Sequence, residues 1–289
     1  MSQNIKAHIL AFLSSVIWGT TFISSKTLLS HFSPVELLFM RFVFGGITLF
    51  ALYPKIFKFQ SLTDEIYFAL AGFTGITLYY LLENVALTYT LASNIGVIIS
   101  IAPFFSAIIA HFFIKDETLH PRFFLGFIVS MIGVCLISFN GSTVLKLNPL
   151  GDFLTVVAAF VWALYSYFVK KISQQYHVIQ ATRRMFEYGI LFMLPIVLFT
   201  HTPIRIHQIF SSQYIAHFLF LSIGASAICF AIWNWAVEIL GTVKTSLYIY
   251  LVPVITVIAS VIFLKEPITL MSAIGTVLTL SGLIFSAKD

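Results

Sequence analysis

Residues 101–117 read IAPFFSAIIAHFFIKDE, and residues 251–267 read LVPVITVIASVIFLKEP. Both are apolar runs with a proline near the start, a lysine twelve residues after it, and an acid directly after the lysine. The residues are Pro103, Lys115 and Asp116 in the first run, and Pro253, Lys265 and Glu266 in the second. The correspondence extends in both directions. Gly126 and Gly133 are answered by Gly275 and Gly282, and Trp18-Gly19 by Trp162-Ala163. Arg41 follows Trp18 by 23 residues and Arg184 follows Trp162 by 22, with Gly46 and Gly189 five residues beyond those arginines. Every match is offset by 143 to 150 residues, close to half of 289. The chain is therefore an internal repeat, expected as residues 1–140 and 150–289 of one membrane domain.

Composition fixes the environment. Hydrophobic residues make up 59% of the chain and charged residues 9%, against about 25% charged in a soluble domain. With 31 phenylalanines and a mean hydropathy of +0.99, the chain lacks the polar groups to cover a water-facing surface, so lipid must cover it. That excludes a soluble enzyme, a disordered protein and a nucleic-acid-binding domain. The net charge of +5 comes from basic residues lying between apolar runs, where they speak to membrane orientation. Cys135 and Cys229 lie inside such runs, and no disulfide is expected between them.

Ten stretches are long enough to span: Ala7–Ser25, Pro34–Tyr53, Ile66–Ala86, Ala92–Ile114, Phe123–Phe139, Phe153–Val169, Ala181–Phe199, Tyr214–Val237, Thr245–Leu264 and Ile268–Phe285. Continuous runs, in place of short alternating ones, select helices over a barrel. The first follows Lys6 and could pass for a signal peptide. Without a clear small-residue cleavage pattern, and with nine spans behind it, it reads as the first helix. Five spans per repeat is an odd number, so the second half enters the membrane upside down. The expected fold is an all-α integral membrane protein of ten transmembrane helices in two inverted five-helix repeats. That plan recurs in secondary transporters, whose site lies at the repeat interface near the midplane.

The chain resembles a ten-helix member of the EamA family of the drug/metabolite transporter superfamily. The resemblance is carried by Ser15-Val16-Ile17-Trp18-Gly19, Arg41-Phe42, Asn84-Val85-Ala86-Leu87, Ala102-Pro103-Phe104-Phe105 and Phe113-Ile114-Lys115-Asp116-Glu117 in the first half. In the second half it is carried by Trp162-Ala163-Leu164-Tyr165, Leu251-Val252-Pro253-Val254 and Phe263-Leu264-Lys265-Glu266-Pro267. The similarity covers essentially the whole chain. It implies a carrier for small organic molecules, such as amino acids, nucleotide-like metabolites or drugs, with a central cavity between the halves. The first repeat departs from the pattern by offering two acids, Asp116-Glu117, where the second offers one.

Candidate site residues follow from what lipid makes costly. Pro103 and Pro253 sit about ten residues into their spans, near mid-membrane depth. Each removes a helical hydrogen bond, freeing the carbonyls of Ile99 and Ile249, either to shape a cavity or to be sealed by neighbours. Membrane tryptophan prefers the interface, so Trp18 and Trp162 at mid-depth read either as cavity lining or as packing. Tyr165 shares the face of Trp162, and Tyr79, Tyr80, Trp233, Trp235, Tyr248 and Tyr250 make the pathway aromatic. Ionisable groups within spans are functional candidates by default: Arg41, Arg184, Glu187 and Glu83, the last beside Asn84. Snorkelling or a structural ion pair competes for Arg41, Arg184 and Glu187. Glu83 is the candidate to hold a substrate amine or, by trading protons in an apolar setting, to make protons the coupling ion. Gly126/Gly133 and Gly275/Gly282 read as close-contact faces of a helix pair.

The expected partners are a small-molecule substrate and the lipid bilayer, with no cofactor and no metal. A membrane-embedded enzyme is the first alternative. The eight histidines lie mostly in loops or near helix ends, with no spaced pair for haem and no metal cluster. A channel or lipid flippase on the same helices is the second; no selectivity filter or ring of charges is visible. The sequence carries no phosphate-cradling loop, so any drive comes from an ion or substrate gradient.

With the N-terminus inside, nine Lys and Arg fall on the inner side (Lys6, Lys55, Lys58, Lys115, Arg122, Lys170, Lys171, Lys244, Lys288). Four fall outside: Lys26, Lys146, Arg205 and Lys265. The excess of inner positive charge predicts a protein of the cytoplasmic (inner) membrane with both termini cytoplasmic. Tags at both termini should label from the cytoplasmic side, and a tag within Asn140–Gly151 from the opposite side. Opposite labelling of the two termini would refute the even span count.

Overall fold

The structure is a computed structural model describing residues 2–57, 61–89, 92–114, 121–139, 148–172, 176–255, 258 and 270–287. Lys115, Asp116, Glu117, Lys265, Glu266, Pro267 and the far end of the ninth expected span lie outside the described residues. Among those described, regular structure is helical throughout. We label the helices α1 (Gln3–Leu29), α2 (Pro34–Leu52), α3 (Leu62–Tyr89), α4 (Ala92–Ile99 then Ala102–Phe113), α5 (Pro121–Phe139), α6 (Pro149–Ile172), α7 (Val178–Phe199), α8 (Ile215–Leu240), α9 (Thr242–Ile255) and α10 (Leu270–Ala287). By length and composition, α1, α2, α3, α6 and α8 are each apolar enough to cross a membrane, and shorter apolar helices accompany them.

Helix starts follow local capping chemistry. Ser2 accepts from the amide of Ile5, Ser33 from that of Glu36 with Pro34 in the first turn, and Ser61 from that of Asp64. These serines extend α1 and α3 about a turn beyond the purely apolar spans. Gly241, at φ 86°, ends α8 and lets the chain turn directly into α9.

Equivalent helices of the two repeats meet antiparallel. A Cβ on Gly126 would fall 2.6 Å from the carbonyl of Gly282 and 2.8 Å from the amide of Ser286. One on Gly133 would fall 2.5 Å from the carbonyl of Gly275. Rising numbers on α5 therefore face falling numbers on α10. The same reversal relates α2 to α7, where Tyr53 stacks on His177 and Phe42 packs on Phe186. The first helix of each repeat packs on the third helix of the other, α1 on α8 and α6 on α3. This is the arrangement that inversion requires.

Because the α5–α10 backbones touch at the glycines, no side chain can be accommodated there without separating the helices. Gly133→Leu should destabilise the protein by about 1–3 kcal/mol or more. Gly46→Ala should stay within about 0.5 kcal/mol, since its Cβ meets only the Ile190 side chain at 3.6 Å. Thermal unfolding in detergent distinguishes the two; equal midpoints would contradict the packing.

Candidate functional site

Two helices widen at the same place in each repeat. Gly72–Leu78 of α3 and Phe220–Ile228 of α8 are π-helical. A π turn admits an extra residue and turns a carbonyl out of the regular ladder, a feature concentrated at functional sites. In α8 the carbonyl of Ala225 is met by the indole Nε1 of Trp18, 2.9 Å away on α1. In α3 the bulge lets Gly75 seat the Tyr165 ring of α6 so closely that a Cβ would lie 2.2 Å from it. Each bulge also carries a small hydroxyl residue, Thr77 in α3 and Ser226 in α8. Thr77 donates to the carbonyl of Gly189 at 2.8 Å, and Ser226 accepts from Nε of Arg41 at 2.6 Å.

The helices that carry the prolines break at corresponding positions too. The two segments of α4 part at Ser100-Ile101, just before Pro103, and α9 tightens to a 3-10 turn over Leu247–Tyr250, just before Pro253. Proline's missing donor is the cause. Residues at and beside each break, Ile99 and Ala102 of α4 and Ile249 and Val252 of α9, line one cavity. Its remaining wall comes from Trp18, Thr21 and Phe22 of α1, Tyr79, Tyr80 and Glu83 of α3, and Trp162 of α6. Trp18 and Trp162 meet edge to face at 5.4 Å between ring centres, and Trp233 lies 4.9 Å from Trp18. Phe230 of α8 packs against Trp18, Tyr80, Trp162 and Tyr165 together. Neither tryptophan points into lipid.

Glu83 is the one charged residue among the described lining residues. It is 5% exposed and lies one turn after Tyr79 on the same face of α3, beside that phenol in the cavity wall. Arg41 lies behind Tyr80 and is 2% exposed. Its guanidinium carbon stands 4.4 Å over the Tyr80 ring and 5.5 Å from that of Phe42. Among the described residues it forms no ion pair with a carboxylate. Aromatic faces, the Ser226 hydroxyl and attraction to Glu83 therefore hold a charge that lipid would otherwise reject. Around the cavity, Nε1 of Trp162 and of Trp233 and Oδ1 of Asn84 are buried with no protein partner. Unmet polar atoms of this kind call for water or cargo.

Other expected site residues are placed elsewhere. Tyr165 sits behind Trp162 and donates to Oδ1 of Asn234 at 2.6 Å, and Asn234 donates to Thr182 at 3.0 Å. Asn84 donates to the carbonyl of Pro34 at 3.4 Å. Tyr250 is fully buried beside Phe123 and Ala107, away from the lining, and Pro103 and Pro253 set the breaks without facing the cavity. Arg184 and Glu187 do not reach it. They join Glu65 and Tyr188 in an ion cluster (Arg184 to Glu65 2.9 Å, to Glu187 2.8 Å), where α3 and α7 begin. Their spacing gave the pair correctly; the sequence offered no sign that Glu65 would capture it.

Ser226, Asn234, Phe230 and the two π turns escaped the sequence reading. One signal was available, since Asn84 and Asn234 follow Glu83 and Trp233 at the same 150-residue offset that relates Pro103 to Pro253.

An aromatic cavity between two inverted halves, with one buried acid and broken helices at its edge, has the architecture of a membrane transporter. The model of the EamA-like transporter family matches residues 5–139 and again 149–287, and the chain belongs to that family. It is 29% identical over 286 residues to an uncharacterized transporter of Archaeoglobus fulgidus, covering 97% of this chain and 96% of that one. It is 28% identical over 288 residues to the uncharacterized transporter YyaM of Bacillus subtilis, covering 98% and 93%. A protein of Streptantibioticus cattleyicolor named "Probable terminal-alkyne amino-acid exporter" is 23% identical over 273 residues, covering 93% and 89%. A solved crystal structure superposes with a TM-score of 0.79 at 17% identity over 97% of this chain and 96% of that one, which shows the fold.

The Tyr165–Asn234–Thr182 chain ties α6, α8 and α7 behind the cavity. Asn234→Ala strands two buried partners and should cost about 1–3 kcal/mol. Tyr165→Phe should cost about 1 kcal/mol, and the double variant less than the sum. An additive double-mutant cycle in detergent unfolding would show that the bonds do not form one network.

Proposed function

We propose that the protein is a secondary transporter that moves small amine-bearing metabolites across the cytoplasmic membrane by alternating access. The observation that carries this reading is Glu83, a buried carboxylate facing a cavity walled by Trp18, Trp162, Tyr79 and Tyr80. A carboxylate among aromatic faces supplies both a counter-charge and cation–π contact for an ammonium group. The Trp162 indole, with no protein acceptor, offers a donor to another part of the cargo. Arg41, screened by Tyr80, keeps a positive field on Glu83 without occupying it. The broken helices of α4 and α9 supply the hinges about which one half can rock against the other. The terminal-alkyne amino acid of the Streptantibioticus relative's name makes amino acids the first cargo to try.

The same carboxyl serves coupling if it exchanges a proton for the amine on each cycle. In proteoliposomes, counterflow across amino acids, nucleotide-derived metabolites and cationic drugs should identify saturable exchange of amine-bearing cargo. Glu83→Ala should weaken binding at least about tenfold, or about 1.4 kcal/mol. Glu83→Gln keeps the shape but cannot titrate, so proton-driven accumulation should vanish while exchange persists. Proton-driven accumulation that survives Glu83→Gln would eliminate the coupling role, and unaltered binding in Glu83→Ala would move the amine site elsewhere.

A further inference from the structure

The described residues enclose a second hollow of opposite chemistry. Its wall is apolar throughout, built by Leu10 of α1, Leu52 of α2, Val178 of α7, and Ala231, Ile232 and Trp235 of α8. It opens sideways, because Leu52 is 57% exposed and Ile228, also on its wall, is 42% exposed. On a face turned to hydrocarbon, such a groove matches a chain of methylenes. The ends of the surrounding helices fix its depth: Leu52 is the last residue of α2 and Val178 the first of α7. The groove thus begins at the membrane interface and runs inward.

A basic corner stands at its mouth. Tyr53 follows Leu52 and His177 precedes Val178, and their rings stack at 4.1 Å with 9° between planes. Nζ of Lys55 lies 5.2 Å from the centre of the Tyr53 ring. Arg183 fixes this corner by donating to the carbonyls of Tyr53 (3.0 Å) and Lys55 (2.8 Å), its own charge answered by Glu187 at 3.3 Å. Lys6 lies one turn before Leu10 on the same face of α1. Lys6, Lys55 and His177 are all exposed, and among the described residues none forms an ion pair. Two lysine ammonium groups at one membrane surface, with an imidazole beside them as a hydrogen-bonding group, attract anionic headgroups.

We propose that this groove seats one acyl chain of an anionic phospholipid, whose phosphate meets Lys55, Lys6 and His177 at the rim. A zwitterionic lipid offers the same chain, but its own cation opposes that rim. The seat backs directly onto the cargo site, since Ala231 and Trp235 share α8 with Phe230, Trp233 and Asn234. A bound chain would therefore brace α8 between the α1 side and the α2–α7 side. The inference rests on membrane residence alone and stands apart from the cargo reading.

Trp235 is the tryptophan on the groove; Trp18, Trp162 and Trp233 belong to the interior aromatic cluster. The full chain is reconstituted in phosphatidylcholine containing a small fraction of chain-brominated phosphatidylglycerol, and tryptophan quenching is measured. The quenching lost in Trp235→Phe isolates the groove. That part should exceed, several-fold, what the same fraction of brominated phosphatidylcholine gives, and Lys6→Gln with Lys55→Gln should bring the two lipids level. Ala231→Phe, which fills the groove, should abolish the excess. Equal quenching by the two lipids in the wild type would show ordinary annular lipid and overturn the proposal. An excess that survives the lysine pair would overturn it as well. Those surface changes leave the core intact, so the test holds even if Ala231→Phe fails to fold.

Discussion

Hydrocarbon offers no water to a backbone amide or carbonyl, so every such group must find its partner within the protein. That requirement makes the described chain helical and also dictates where it can be irregular. The π turns of α3 and α8, the break in α4 and the 3-10 turn in α9 all border the same central space. Both π turns are met from across the repeat boundary: the carbonyl of Ala225 accepts from Trp18, and the notch at Gly75 receives the Tyr165 ring. Irregularity in the backbone and cross-repeat contact are thus one feature. The halves are joined where their helices depart from ideal geometry.

Charge is handled by the same economy. Arg41, deep within the bundle, is wrapped by Tyr80, Phe42 and Ser226. Charges at the ends of the bundle act as ties between repeats. Arg205, before α8, grips the fully buried Glu36 of α2 and the carbonyl of His31, while Arg183 and Arg184 of α7 hold the α2–α3 connection and Glu65. Each end of the bundle therefore has a basic residue of the second repeat clasping the first. Removing one partner would leave the other's charge uncompensated where burial is greatest, which is why such ties resist casual substitution.

Much of this was legible in the residues. The proline, glycine and tryptophan correspondences disclosed the duplication, and composition disclosed the solvent. The aromatic and acidic members of the cavity, Trp18, Trp162, Tyr80 and Glu83, were visible because such residues are costly at mid-membrane depth. The π turns were not, since a one-residue widening leaves hydropathy and helical period almost unchanged. Ser226 and Asn234 were missed because small polar residues recur in membrane helices, and only their partners give them meaning. Arg184 and Glu187 were drawn toward the cavity by a rule about buried charge that made no allowance for Glu65 at the start of α3. Helix starts at Ser2, Ser33 and Ser61 depend on single capping bonds that an apolarity profile does not register.

The register that matches Asn84 with Asn234 also matches Glu83 with Trp233. Turning the molecule over about its in-plane axis restores the scaffold and exchanges an acid for an indole. The frame is reversible and the grip is not. Under the proposed reading, a cargo held by Glu83 would keep its charged end on one repeat throughout the cycle, facing one compartment head first and the other tail first. Affinity then need not be equal at the two membrane faces, and a near-symmetric body acquires a built-in sense of direction before any gradient is applied.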